Sequence, residues 1–208
     1  MKQPDYLVLV NGDHRLPRDF ARSVELVTVE NAVGEPVQVE KQTYEAFLRL
    51  QKDLLENDGI AAGLSNSYRT VERQEEIFAR YTREFGLDYA KKYAAKPGHS
   101  EHHTGLAIDV GVTLEGKFHH TIEEILSVEH LYQVIQKKLP QYGFILRYPK
   151  GKEAVTGIGY EPWHFRYLGD PELAAELTEQ GLCLEEYSAH QAGQGETEDE
   201  TIPVNTGG

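Results

Sequence analysis

Ser100-Glu101-His102-His103-Thr104-Gly105-Leu106-Ala107-Ile108-Asp109 takes its meaning from a second, distant piece, Glu161-Pro162-Trp163-His164-Phe165. Together they offer two imidazoles and a carboxylate, His102, His164 and Asp109, which are ligand types that zinc takes. Three protein ligands leave a fourth position for water, the arrangement of a catalytic rather than a structural zinc. Glu161, close to the last ligand, could take a proton from that water. One Zn2+ ion is therefore expected.

The residues around the ligands alternate with a period of two. Leu106, Ile108 and Val110 can face a core, while Asp109 points to the other face beside the small Ala107. Trp163-His164-Phe165-Arg166-Tyr167 repeats the device, with aromatics on one face and His164 and Arg166 on the other. His102 and Asp109 are too far apart for one helix turn or one strand face. They are expected on a loop and the strand after it, with Gly105 permitting the bend. The spacing Glu161-x-x-His164 contains Pro162, which excludes a helical metalloprotease motif in its usual form. The expected fold class is α+β: a small antiparallel sheet with the metal on one face and helices on the other.

Going outward, the 208 residues suit one domain with a substantial core. Residues 1–187 are expected to form it. Residues 188–208 are polar, acidic and aperiodic, and read as a disordered tail. The net charge of −13 argues against nucleic acid and anionic membranes as partners. A single cysteine, Cys183, allows no internal disulfide and is expected to pack as a small apolar residue. No apolar run is long enough for a signal peptide or a membrane span. As it stands the chain is expected to be a cytoplasmic monomer. An export segment removed from a longer parent would make it extracellular.

Strands are expected over residues 6–10, 24–29, 64–68, 106–112, 143–148 and 163–167. Helices are expected over 41–56, 71–85, 88–94, 129–139 and 170–181. Thr70 is expected as an N-cap, and Asp170 as another with Pro171 at the first helical position. Residues 115–121 read as a polar loop, and residues 155–160 as a return segment toward Glu161.

Here the chain resembles a family. S-x-H-x-x-G-x-A-x-D followed by E-x-W-H is similar to the zinc D-Ala-D-Ala carboxypeptidases of bacteria, which include VanY-like enzymes, LD-carboxypeptidases and the VanXY-type dipeptidase/carboxypeptidases. The likeness also covers Ser67-Tyr68-Arg69-Thr70 with Gln74, Pro97 to His102, and Tyr142 to Pro149. Asn66 departs from it, standing where the family usually has Gly. The resemblance implies a core shared with lysostaphin-type metallopeptidases. It implies removal of D-alanine from a peptidoglycan stem peptide or precursor ending in D-Ala. Arg69 matches the residue that binds the terminal carboxylate, for which a guanidinium fork is suited. Gln74 and Ser100 match further substrate-contacting positions, and Tyr68 and Trp163 are candidate pocket residues. His99, His103, His119 and His120 are expected to support the site or face solvent. A D-Ala-D-Ala dipeptidase, a peptidoglycan endopeptidase and a non-catalytic wall-peptide binder with a structural zinc are the competing readings. Glu161 argues against the last, since a binder needs no base.

Overall fold

A computed structural model describes residues 4–198, apart from the side chains of Ala21 and residues 194–198. Strands β1 (Leu26–Glu30) and β2 (Pro36–Glu40) form an antiparallel ribbon. Helix α1 (Lys41–Asp58) follows at once. Its N-cap is Glu40, whose carboxylate accepts from the backbone N–H groups of Gln42 and Thr43. That satisfies donors which the first turn leaves without partners. The chain then forms β3 (Ala61–Asn66), α2 (Val71–Phe85) and α3 (Leu87–Tyr93). Thr70 caps α2 through the Arg73 N–H, as expected.

A 3-10 turn over Glu101–Thr104 leads into β4 (Ala107–Leu114). After it come β5 (Lys117–His119), α4 (Ile122–Ser127), α5 (Glu129–Lys138), β6 (Phe144–Leu146), α6 (Glu153–Thr156), β7 (His164–Tyr167), α7 (Pro171–Gln180) and α8 (Leu184–Glu198). The main sheet has the order β3-β4-β7-β6, with β5 also paired to β4. Its strands pair antiparallel throughout the described residues. The α+β expectation holds. No helix of the described residues is long and apolar enough to cross a membrane.

One face of the sheet carries the main core. Leu106, Ile108, Val110 and Phe165 pack there with Phe47, Leu50 and Leu54 of α1 and Tyr132 and Ile135 of α5. Burying each such side chain contributes about 1.5–3 kcal/mol. A smaller cluster of Ile145, Leu168, Ala174, Leu177 and Leu184 lies under α7 and α8. Cys183 is buried and its thiol is pushed up to about 11, chiefly by burial.

Four expectations are corrected. Residues 6–10 form no strand; instead the Arg166 guanidinium donates to the carbonyls of Tyr6 and Val8, meeting by side chain what a ladder would supply. Residues 115–121 are not a plain loop. Glu115 and Gly116 both have positive φ, 52° and 78°, and close a two-residue hairpin between β4 and β5. Residues 153–156 form a helical turn, α6, which overlaps the start of the expected return segment at 155–160. Finally, residues 188–198 continue α8 rather than forming a free tail, while 199–208 lie outside the described residues. The helix is anchored at its start: Leu184 is buried, Tyr187 packs on the smaller cluster, and Glu185 and Glu186 are bonded to Arg147 and Lys152.

Gly105 ends the 3-10 turn at φ 73°. A Cβ there would lie 2.7 Å from Leu26 Cδ2 and 3.2 Å from the Glu40 backbone nitrogen. Left-handed backbone and close approach thus coincide where the chain enters β4. Gly105→Ala is expected to cost at least about 1–2 kcal/mol, lowering Tm by at least about 2–4 °C per kcal/mol. An unchanged thermal melt would contradict this.

Candidate metal centre

Three elements bring the expected ligands together. Asp109 on β4 lies directly opposite His164 on β7, and its other neighbour across the sheet is Asn66 on β3. His102 comes from the 3-10 turn. His102 Nε2 is 3.3 Å from Asp109 Oδ2, and His164 Nδ1 is 3.1 Å from Asp109 Oδ1. One donor atom from each of the three residues lies within 4.8 Å of the others. Two atoms each about 2.1 Å from a shared tetrahedral zinc would stand about 3.4 Å apart.

The partners of the rings decide which nitrogens are free. His102 Nδ1 lies 2.7 Å from the carbonyl of Ser67, which can only accept. The ring proton is therefore on Nδ1, and Nε2 turns a lone pair toward Asp109. Burial pushes His102 down to about 4, against the pull of Asp109, so the ring is neutral. A lone pair and a carboxylate oxygen thus face each other with no proton between them, which a cation would reconcile. His164 Nε2 faces Glu101 Oε2 at 3.6 Å, leaving Nδ1 toward Asp109. Burial opposes charge on His164, but Asp109, Glu101 and Glu161 outweigh it and raise the ring to about 9. Positive charge is favoured at this spot. These residues fit a divalent ion of the zinc type.

Glu161 lies just before β7, its Oε2 3.7 Å from His164 Nδ1. Burial pushes its carboxyl up to about 8; Asp109 adds to this, while His164 and Arg69 oppose it. Arg69 is held by Gln74, whose Oε1 accepts from Nη1 at 2.7 Å. Its Nη2 lies 3.9 Å from Asp109 Oδ2. Gln74 donates in turn to the Ala95 carbonyl, so both ends of this buried amide are engaged in orienting Arg69. Ser100, Trp163 and Tyr148 line the same open cavity of about 540 Å3, which Tyr81, Phe85, Tyr89 and Tyr93 also line. Tyr68 does not line it.

His103 is not among the three. It accepts from the Gly98 N–H at Nε2 and donates from Nδ1 to the Arg69 carbonyl. Adjacent rings, His102 and His103, thus clip alternate carbonyls of the segment that carries Arg69. His99 Nδ1 lies 2.8 Å from the Asn11 carbonyl. The sequence reading missed the charged group behind the site. Glu101, Arg147 and Arg166 are buried, and Glu101 Oε1 accepts from Arg147 Nε and Arg166 Nη1, each at 2.7 Å. One signal was available: the alternation that put His164 on the site face put Arg166 there too, and a buried arginine needs an anion.

Residues 36–170 match the family model VanY, described as D-alanyl-D-alanine carboxypeptidase. A D-alanyl-D-alanine carboxypeptidase of Enterococcus faecalis is 35% identical over 87% of this chain, which spans 65% of that relative's length. The bifunctional D-Ala-D-Ala dipeptidase and carboxypeptidase VanXYC of Enterococcus gallinarum is 39% identical, covering 89% of this chain and 95% of the relative. Among solved structures, VanYB in complex with D-alanine-D-alanine superposes with a TM-score of 0.74 at 32% identity, over 88% of this chain and 97% of that one. A VanY mutant from a VanB-type cassette, in complex with Zn(II), gives 0.71 at 30% identity, over 88% of this chain and 98% of that one.

Zinc at a hundred times its Kd is expected to stabilise the fold by about 2.7 kcal/mol, raising Tm by about 5–10 °C. A chelator should reverse the shift, and Asp109→Ala should abolish it. A melt that does not respond to zinc would remove the metal assignment.

Proposed function

Because the chain belongs to the VanY D-alanyl-D-alanine carboxypeptidase family, we propose that it is a zinc carboxypeptidase removing the terminal D-alanine from peptidoglycan stem peptides or their precursors. The observation that carries this reading is the 3.9 Å between Arg69 Nη2 and Asp109 Oδ2. It sets a carboxylate-reading fork directly beside the candidate metal ligands. A substrate whose free C-terminus sits on Arg69 has its last peptide bond about one residue away, roughly 3.8 Å. That is the geometry of an exopeptidase, and it disfavours an endopeptidase.

When bound by His102, Asp109 and His164, zinc supplies a Lewis acid that polarises the scissile carbonyl and brings the pKa of the attacking water toward about 7. The remaining work belongs to the chain. Arg69 binds the terminal carboxylate with two parallel hydrogen bonds, and Gln74 fixes its plane from behind. Glu161 accepts the water's proton and delivers it to the leaving amine. Its burial suits this role, because a carboxyl raised toward neutrality can both take and return a proton. Ser100, Tyr148 and Trp163 line the space where the last residues bind. The same cavity, of about 540 Å3, is also lined by Tyr81, Phe85, Tyr89 and Tyr93; a space of that size accommodates upstream substrate and favours a carboxypeptidase over a strict dipeptidase.

The test is to incubate the zinc-loaded protein with stem tetrapeptide, stem pentapeptide and free D-Ala-D-Ala, and to weigh the products. D-alanine should be released from one of the stem peptides. Internal cleavage alone, or no cleavage, would overturn the reading.

Two variants divide the machinery. Glu161→Gln is expected to keep zinc and lower kcat by about 10²–10⁴-fold, the usual weight of general acid–base catalysis; undiminished kcat would remove Glu161 from the proton transfers. Arg69→Lys keeps the charge and loses the fork. Its kcat/KM should fall about 10–100-fold, matching the 1.5–3 kcal/mol of a hydrogen bond to a charged group.

A further inference from the structure

Helix α8 lies beyond the segment matched to the family, yet it reaches the metal centre. Glu185 on this helix accepts two hydrogen bonds from Arg147, Nη1 to Oε2 at 2.8 Å and Nη2 to Oε1 at 2.7 Å. Glu185 Oε1 also accepts from Asn11 Nδ2 at 3.0 Å. Arg147 is fully buried, and its Nε donates to Glu101 Oε1. Glu101 Oε2 faces His164 Nε2 at 3.6 Å, and neither atom has a hydrogen-bond partner among the described residues. A row of polar groups thus runs from the C-terminal helix toward one of the candidate ligands, hydrogen-bonded as far as Glu101 and closing on His164 across 3.6 Å.

We propose that Glu185 is a positioning residue for the metal centre, acting through Arg147 and Glu101 on the orientation of His164. The proposal rests on His164 being a zinc ligand. A ligating histidine is usually held by an acceptor on its other nitrogen, and the carboxylate facing that nitrogen here, at 3.6 Å, is Glu101. Charge balance shows why Glu101 depends on Glu185. Two guanidinium groups, Arg147 and Arg166, meet two carboxylates, Glu101 and Glu185, in a buried space. Without Glu185, Glu101 alone must answer two buried cations, and an uncompensated buried charge is strongly unfavourable. Its second oxygen is then drawn from His164 toward Arg147. Arg147 also lies 5.0 Å from the centre of the Tyr148 ring, which packs 4.8 Å from the His164 ring. Both supports of the imidazole therefore lean on the same guanidinium.

The neighbour Glu186 supplies the control. It sits on the same helix and pairs with Lys152 at 2.8 Å, outside this chain of groups. The experiment measures zinc affinity by competition with a chelator, together with kcat, KM and Tm, on the full chain. Glu185→Gln is expected to weaken zinc binding about tenfold or more, in the range seen when groups behind a ligand are changed, and to lower kcat more than it raises KM. Glu186→Gln is expected to lower Tm and leave zinc affinity and kcat unchanged. Glu101→Gln combined with Glu185→Gln should weaken zinc no further than Glu101→Gln alone, because both act on one chain of groups. Should Glu185→Gln fail to fold, Glu185→Asp, which keeps the charge but shortens the fork, is expected to show a smaller loss of zinc affinity in the same direction. Unchanged zinc affinity in whichever variant folds would overturn the proposal, as would full additivity with Glu101→Gln. Wild-type protein that binds no zinc would sink the metal reading itself. Wild type that binds zinc without releasing D-alanine would sink only the proposed reaction.

Discussion

The site depends on one carboxylate standing between two imidazoles. Asp109 lies 3.3 Å from one ring and 3.1 Å from the other, and each ring presents to it the nitrogen that its far-side partner leaves free. Burial and hydrogen bonding set the two rings differently. His102 is held neutral by burial with its proton on the Ser67 carbonyl, while His164 is drawn toward positive charge by three carboxylates. Much of the fold can be understood as what holds these three groups in register. β4 and β7 pair so that Asp109 and His164 are directly opposite, and the core on the other face fixes both strands through Ile108, Val110 and Phe165.

Proximity of the two charged functions follows from local chain geometry. Ser67 and Arg69 are two residues apart. The carbonyl of the first orients a candidate ligand, and the carbonyl of the second is held by His103. The residue assigned to read the substrate's terminus and the ring assigned to hold the metal are therefore tied to the same short stretch. A small shift in that stretch moves both together, so their spacing is kept.

The legible parts of the sequence were those where a local rule suffices. Period-two alternation put Leu106, Ile108 and Val110 in the core and Asp109 opposite, and Pro162 marked the chain before β7 as non-helical. Thr70 and Asp170 capped the helices they precede. What escaped was decided by distant contacts. Residues 6–10 have the composition of a strand but are claimed by Arg166, 160 and 158 positions away from the two carbonyls it binds. Residues after 187 have the composition of a solvated tail, yet the helix that begins at Leu184 runs on through them to Glu198, anchored at its start by Leu184, Tyr187 and the pairing of Glu185 with Arg147. Glu101 sat in plain view beside His102, but its role depends on two arginines far along the chain.

The central strand β4 divides one of its edges between two neighbours. Residues 107–109 pair with β7, and residues 112–114 pair with the hairpin arm β5. The segment leaving that arm, His120 to Ile122, forms part of the cavity rim. Two independent ladders on a single edge separate reach from grip. The segment His120 to Ile122 hangs from the β5 ladder, whereas the register that sets Asp109 opposite His164 belongs to the β7 ladder. A change in the cavity rim therefore loads a different set of backbone hydrogen bonds from those that hold the candidate ligands in place.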